Sequence, residues 1–259
     1  MRSWTSFALV LSVLLSTQVP ACATQTHLSA ESRSSLSQQH VGRVVELRAT
    51  CYYGDLYDEN DLWLLSPYTF ASTSHIVDLK GQPLHPQKVR GMWPAGSRFV
   101  IERLEFPTRW AMAQRMLVTP RFNPWVYLRR LRGPLEPPAK EGENPLYIWV
   151  LPEALESSGA VESALGAALA PDGTVTQWLQ TLRPTHKIAV QHKEMLVGMP
   201  RAALLAAMGQ PQRFFADQQA GRRVTVAWYA DKEAWLLDDE VVEVRPSRPL
   251  SAEEPNPGS

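Results

Sequence analysis

Cysteine is scarce in this chain, with only Cys22 and Cys51 among 259 residues. An excess of either charge is also missing, since 26 Lys and Arg face 26 Asp and Glu. A nucleic-acid binder carries a basic excess to neutralise phosphates, so composition argues against nucleic acid as a partner. The one short basic run, Arg129, Arg130 and Arg132, is interleaved with Leu128 and Leu131 and reads as the solvated face of a strand. Long apolar runs are lacking as well. Phe7 to Leu15 is too short to span a hydrocarbon core of ~30 Å, and no later segment does better. No Gly-x-Ser-x-Gly, phosphate-binding loop, dinucleotide fingerprint or internal repeat occurs. What remains is a globular composition, 44% hydrophobic and 20% charged, in a length that allows one or two domains with a real core.

The first residues read as a targeting segment. Arg2 supplies a positive start, Phe7 to Leu15 an apolar centre, and Ala21, Cys22 and Ala23 the small residues that follow. Two cleavages fit. Ala21-Cys22-Ala23 is an A-x-A site that would release a protein starting at Thr24. Val19-Pro20-Ala21-Cys22 resembles a bacterial lipobox with Cys22 as the lipidated residue, although Pro20 departs from the usual Ala, Ser or Thr. Thr24 to His40 is rich in Ser and Gln, which predicts a disordered tether reaching only ~20–25 Å as a coil. A tether of that kind suits an anchored domain. The expectation is therefore a signal peptide over 1–22, lipidation at Cys22 and a tether over 23–40. Cys51, unable to pair with a lipidated Cys22, lies in a strand-like run beside Tyr52 and Tyr53 and is expected to be buried and inert.

From 41 to 151 the pattern is mostly β. Val41 to Thr50 alternates, and Leu62 to Leu65, His75 to Leu79, Met116 to Thr119 and Trp125 to Leu131 are further strand candidates. Along Arg98 to Phe106 the apolar face switches by one residue between Ile101 and Leu104, the mark of a bulge. Pro134 to Pro145 reads as a loop, and Leu146 to Leu151 as a strand pairing back on Trp125 to Leu131. Many short strands separated by turns predict a small closed barrel.

Residues 152–184 change to helical spacing. Pro152 suits a first turn, Leu155, Val161, Leu165 and Leu169 share a face, and Thr174 is placed to cap a second helix. In 185–246 a helix opens at Gly198-Met199-Pro200 and ends at Gly209, and three strands follow: Val224 to Trp228, Ala234 to Leu237 and Val241 to Val244. Asp238-Asp239 is their hairpin turn, and Trp228 is expected against the helix. Residues 247–259 read as a disordered tail.

Two resemblances sharpen this α+β reading. Val197 to Pro211, with its Gly198-Met199 turn, its helix and its closing Gly209-Gln210-Pro211, resembles the SmpA/OmlA (BamE-like) domain. Trp228-Tyr229 and Leu236 to Val242 fit that family's aromatic strand and final hairpin. Pro200 departs from it, standing where the family has a capping Thr or Ser. The resemblance covers about a quarter of the chain and implies a lipoprotein supporting outer-membrane protein assembly. Pro94 to Ile101 is similar to the turn and strand of bacterial SH3-like domains, which bind peptides or cell wall.

Candidate chemistry is thin. Asp55, Asp58, Glu59 and Asp61 lack the Gly and distal Glu of a calcium loop and read as a solvated loop. His75, Asp78 and the serines Ser72 and Ser74 invite a triad but lie on a strand without a nucleophile elbow. His186 and His192 are six apart, not the four that put two metal ligands on one helix face, and read as surface residues. No catalytic residue, metal site or cofactor is assigned. The expectation is a non-enzymatic envelope lipoprotein at the outer membrane, binding envelope proteins or cell wall. A secreted or anchored hydrolase stays open beside it.

Overall fold

The computed structural model describes residues 26–133, 145–219 and 221–248. The signal segment, Cys22, loop positions 134–144 and tail positions 249–259 lie outside the described residues. Helix α1 (Ala30–His40) precedes strands β1 (Val44–Leu47), β2 (Cys51–Leu56), β3 (Glu59–Ser66), β4 (Ile76–Val77), β5 (Pro83–Leu84), β6 (Val89–Trp93) and β7 (Arg98–Glu105). Next come α2 (Arg109–Gln114), β8 (Trp125–Arg130), β9 (Leu146–Val150), α3 (Ser158–Ala168), β10 (Leu169–Pro171), α4 (Thr174–Thr181) and α5 (Pro184–His192). The last block is α6 (Arg201–Met208) and strands β11 (Arg213–Gln219), β12 (Arg222–Trp228), β13 (Lys232–Leu237) and β14 (Glu240–Pro246).

Eight strands make one sheet in the order β10-β1-β7-β8-β9-β3-β2-β6, antiparallel except where β3 meets β9. The expected bulge is present: the register shifts between Ile101 and Arg103, so Phe99, Ile101, Leu104 and Phe106 all reach one core. The expected SH3-like barrel is not. Strands β10 and β6 are open edges, and the fold is mixed α+β with no closed barrel among the described residues. The reason is visible in the core. A barrel would fold this apolar face onto itself, whereas here Leu28 and Leu36 of the α1 region and Val161 and Leu165 of α3 cover it.

Helix α1 occupies residues 30–40 of the stretch expected to be a disordered tether (23–40). Ser29 caps it, accepting the Ser32 amide at 3.0 Å, and His40 Nε2 meets Glu162 Oε1 of α3 at 2.9 Å. A polar helix this short gains its stability from docking, and two leucines suffice once a pocket exists for them. Three further expectations are corrected. Met116 to Thr119 is not a strand, the first helix of 152–184 starts at Ser158 rather than Pro152, and Arg213 to Gln219 adds a fourth strand to the C-terminal sheet. The hairpin at Asp238-Asp239 forms as expected, both residues taking positive φ (50° and 61°). Trp228 does share a face with Val224 and Val226, but that face packs on Phe215 and Trp235. Ala227, Tyr229, Ala234 and Leu236 turn toward α6 instead.

The domain boundary expected near Pro152 also moves. Strand β10 pairs with β1, and α3 belongs to the core of the large sheet, so 152–171 is part of the first half. The seam with the second half is polar. Glu46, 1% exposed on β1, accepts the Val175 and Thr176 amides at 2.6 and 3.1 Å. It thereby caps α4, the role expected of Thr174, while Gly173 takes the N-cap with φ 81°. Lys193, 8% exposed, donates from Nζ to the carbonyls of Thr50 (2.7 Å), Pro67 (2.7 Å) and Ala207 (2.9 Å). Gly209 lies beside the same Pro67 with φ 81°, and a Cβ there would stand 2.7 Å from Pro67 Cβ.

Two outcomes follow from the seam. Gly209→Val is expected to destabilise by about 2 kcal/mol or more, because strain at positive φ adds to a clash with Pro67; chemical denaturation measures it. Burial lowers the Lys193 pKa from 10.5 to about 8. Between those values the unfolded chain holds a proton that the folded chain has released, so this group adds stability as pH rises from about 8 to about 10. Lys193→Met should abolish that rise and, by stranding three carbonyls, lower stability at neutral pH by about 2–4 kcal/mol. Identical pH profiles for variant and wild type would contradict the assignment.

Candidate functional site

The helix α6 is built almost wholly from Ala and Leu, and its sides meet different neighbours. Ala203, Leu204 and Ala207 are buried in the C-terminal core. Ala202 and Leu205 face a half-open cavity of about 650 Å³ that lies against the large sheet. Small side chains make the space: Ala164, Ala167 and Ala168 of α3 stand where larger residues would fill it. Half-buried Trp149, Trp178 and Tyr68 supply broad apolar walls. This volume lies within the range of small-molecule sites, and such sites are apolar with a few polar groups.

Four of the polar groups, Arg48, Ser66, Thr73 and His75, are already engaged. Arg48 Nε donates to the Gly166 and Leu169 carbonyls, fixing the end of α3. Ser66 Oγ lies 3.0 Å from Thr73 Oγ1 and accepts the Tyr68 amide at 3.1 Å. His75 also lines the cavity, with Nδ1 3.0 Å from the Tyr57 hydroxyl. That hydroxyl accepts the His75 amide, so its one proton is free to go to Nδ1, which places the ring proton on Nε2. Burial lowers the His75 pKa from 6.5 to about 4, leaving a neutral imidazole at physiological pH.

The triad candidates separate. Asp78 Oδ1 accepts the Lys80 and Gln82 amides, each at 2.8 Å, and so shapes the turn between β4 and β5. Ser72 bonds to Thr69 and Ser74 to the Ile76 carbonyl. Among the described residues neither Asp78 nor a serine hydroxyl bonds the His75 ring. Of the acidic cluster, Asp55 pairs with Arg90, and no group of three potential metal ligands forms among the described residues. His192 is exposed, but His186 is only 6% exposed, contrary to the expectation of two surface residues. It sits one turn before Ala189 and Val190 on the buried face of α5. Cys51 is fully buried, and burial pushes its thiol up to about 12, as expected of an inert cysteine.

The basic run has a structural use. The Arg130 guanidinium lies 3.8 Å from the Trp93 ring centre, and Arg129 bonds Glu102 at 2.6 Å. Trp93 stacks on Tyr53, Tyr53 on Trp63, and Arg90 covers the far face of Trp63 at 5.0 Å. Gly91 opposite Tyr53 makes room, since a Cβ there would stand 2.7 Å from the phenol oxygen. The ring faces are spent on one another, so the stack offers no open platform to a sugar or a base.

Comparison with known proteins returns no matching family model, no similar curated protein and no similar solved structure. No described helix is long and apolar enough to cross a membrane. The cavity itself was not foreseen from the sequence, although the apolar run Ala202 to Ala207 was the signal for it: one side of that helix had to face something besides its own sheet.

Keeping His75 neutral carries a pH cost. As pH falls from 6.5 toward 4, the unfolded chain takes up a proton that the folded chain refuses, so stability is lost across that window. His75→Gln is expected to flatten that loss in urea melts. An unchanged slope would mean that the ring is charged in the native state.

Proposed function

We propose that this chain is a non-enzymatic envelope lipoprotein, anchored through Cys22, that binds an apolar ligand in the cavity between the large sheet and α6. The open cavity carries the reading. It has aromatic and alanine walls, no carboxylate among its lining residues, and its Ser66 and Thr73 hydroxyls are bonded to each other. A hydrolase would need a nucleophile within reach of a base, and His75 is committed to Tyr57. Acyl chains and apolar peptide side chains are ligands of suitable chemistry, both plentiful at an envelope membrane.

The BamE-like proposal for the C-terminal part is supported by its order of elements. A turn at Gly198 with φ 83°, a helix ended by Gly209 and an antiparallel meander follow one another. The meander has four strands, one more than the family pattern, which leaves room for a different role on a related plan. Cell-wall binding rested on an SH3-like barrel and loses that support with the open sheet.

Two measurements test the proposal. Cys22→Ser should move the protein from the membrane to the soluble envelope fraction, and an unmodified N-terminus at Thr24 in the wild type would end the anchoring reading. Ala202→Trp, at an exposed point on the cavity wall, should leave folding intact and weaken binding of an apolar naphthylamine dye about tenfold. Equal dye binding by variant and wild type would remove the cavity as the site.

A further inference from the structure

Five of the thirteen exposed large apolar side chains among the described residues fall between positions 110 and 122. Trp110 is 72% exposed and Leu117 81%, with Met116, Val118 and Phe122 beside them. A slack loop would fold such residues inward; this one is held in place. Thr108 caps α2, accepting the Ala111 amide at 3.2 Å. The Arg115 guanidinium, 6% exposed, donates to the carbonyls of Pro120 (3.2 Å), Arg121 (2.9 Å) and Asn123 (2.7 Å), bonds Glu105 at 2.9 Å and lies 3.8 Å from the Trp125 ring centre. Arg121 clasps the Met112 carbonyl, and Thr119 the Met116 carbonyl at 2.8 Å. Buried Ala111, Met112, Arg115, Thr119 and Pro120 thus form a base from which apolar residues project into solvent. Isolated exposed apolar residues need no explanation, but a rigid cluster of them marks a contact surface.

What covers it is indicated by the chain leading into the structure. The Thr26 amide reaches the Pro107 carbonyl at 3.4 Å, and Leu28 is buried in the same core as Leu104 and Phe106. Pro107 lies two residues before α2. Cys22 is four residues before Thr26, so even fully extended chain keeps it within ~14 Å of that point. Arg109 and Arg121 are direct neighbours of Trp110 and Phe122, while Glu59 lies 3.4 Å from the Met116 amide. Trp beside Arg is the composition of a segment that lies in a lipid headgroup layer, its apolar side sunk ~5–10 Å.

We infer that the 109–122 segment is a second, non-covalent contact with a lipid bilayer, entering the same leaflet that holds the acyl group of Cys22. The inference rests on the anchored reading of Cys22. The segment adds apolar area to that of the lipid anchor. It also fixes orientation: a covalent anchor alone lets the domain tumble, whereas two contacts hold one face to the membrane.

The test uses full-length protein purified from the envelope, with Leu117→Cys or, as control, Ala230→Cys carrying an environment-sensitive fluorophore. Buried Cys51 does not compete for the label. Each protein is reconstituted into vesicles of phosphatidylethanolamine with phosphatidylglycerol, and the mass of its N-terminal peptide is recorded. The expected result is a blue-shifted, several-fold brighter probe at 117, quenched by spin-labelled lipid, with position 230 unaffected. Trp110→Ser together with Phe122→Ser should weaken the shift and the quenching. Acylated Cys22 with a probe at 117 that still reports water would overturn the loop contact while leaving the anchor intact. An unmodified N-terminus would remove the anchor and this inference with it. A shift seen in native membranes but not in pure lipid would assign the surface to a protein partner and also overturn the proposal.

Discussion

The ammonium of Lys193 is the constraint around which the two halves of the molecule are set. It finds no carboxylate; it finds three backbone carbonyls, one from the β1–β2 connection, one just after β3 and one near the end of α6. It also sits at the C-terminus of α5, where the helix dipole favours a cation. Across the seam Glu46 does the reverse, placing a carboxylate on the N-terminus of α4. Each buried charge is thus matched by peptide dipoles instead of by the other. Such groups are costly to bury unless every partner is in position, so they tolerate one arrangement of the halves and penalise others.

What was legible in the sequence was local. The face switch around Glu102 became a bulge, Asp238-Asp239 became a tight hairpin turn, and Gly209 became a helix end at positive φ. Each follows from geometry within a few residues. What was illegible depended on distant partners. Nothing in Ala30 to His40 announces a helix, because Leu36 alone of its residues is buried and the pocket that receives it is built by β7 and α3. Strand β10 is three residues long and exists only because β1 has a free edge. Trp228 was assigned to the wrong side because its face carries the larger apolar residues, whereas the face that meets the helix contributes only Ala227, with Tyr229 just beyond the strand.

Among the residues of the site, the sequence flagged His75 and Asp78 as neighbours in number and left open whether they were neighbours in function. The fold separates them through a side-chain-capped turn and a phenol bond. The cavity was legible only indirectly, in a helix with more apolar surface than one sheet can cover. Alanines on two facing helices record the other half of it: they pack helices closely to their own cores yet leave space on the opposite side. A feature defined by absent side-chain volume leaves little trace in a single sequence.

The pairing of β1 with β10 has a consequence for the order of events during folding. The two strands are joined by register pairs such as Val45 with Pro171, and Lys193 closes contacts from Thr50 to Ala207. Contacts of such separation make for slow folding, since much loop entropy is lost before they form. In a chain that emerges N-terminus first, β1 has an open edge until Leu169 appears, and the carbonyl cluster is incomplete until Ala207 does. A growing chain therefore spends most of its synthesis with exposed strand edge and apolar face. Under the proposed export this delay is an advantage, because a general secretory translocase threads chains that have not yet folded.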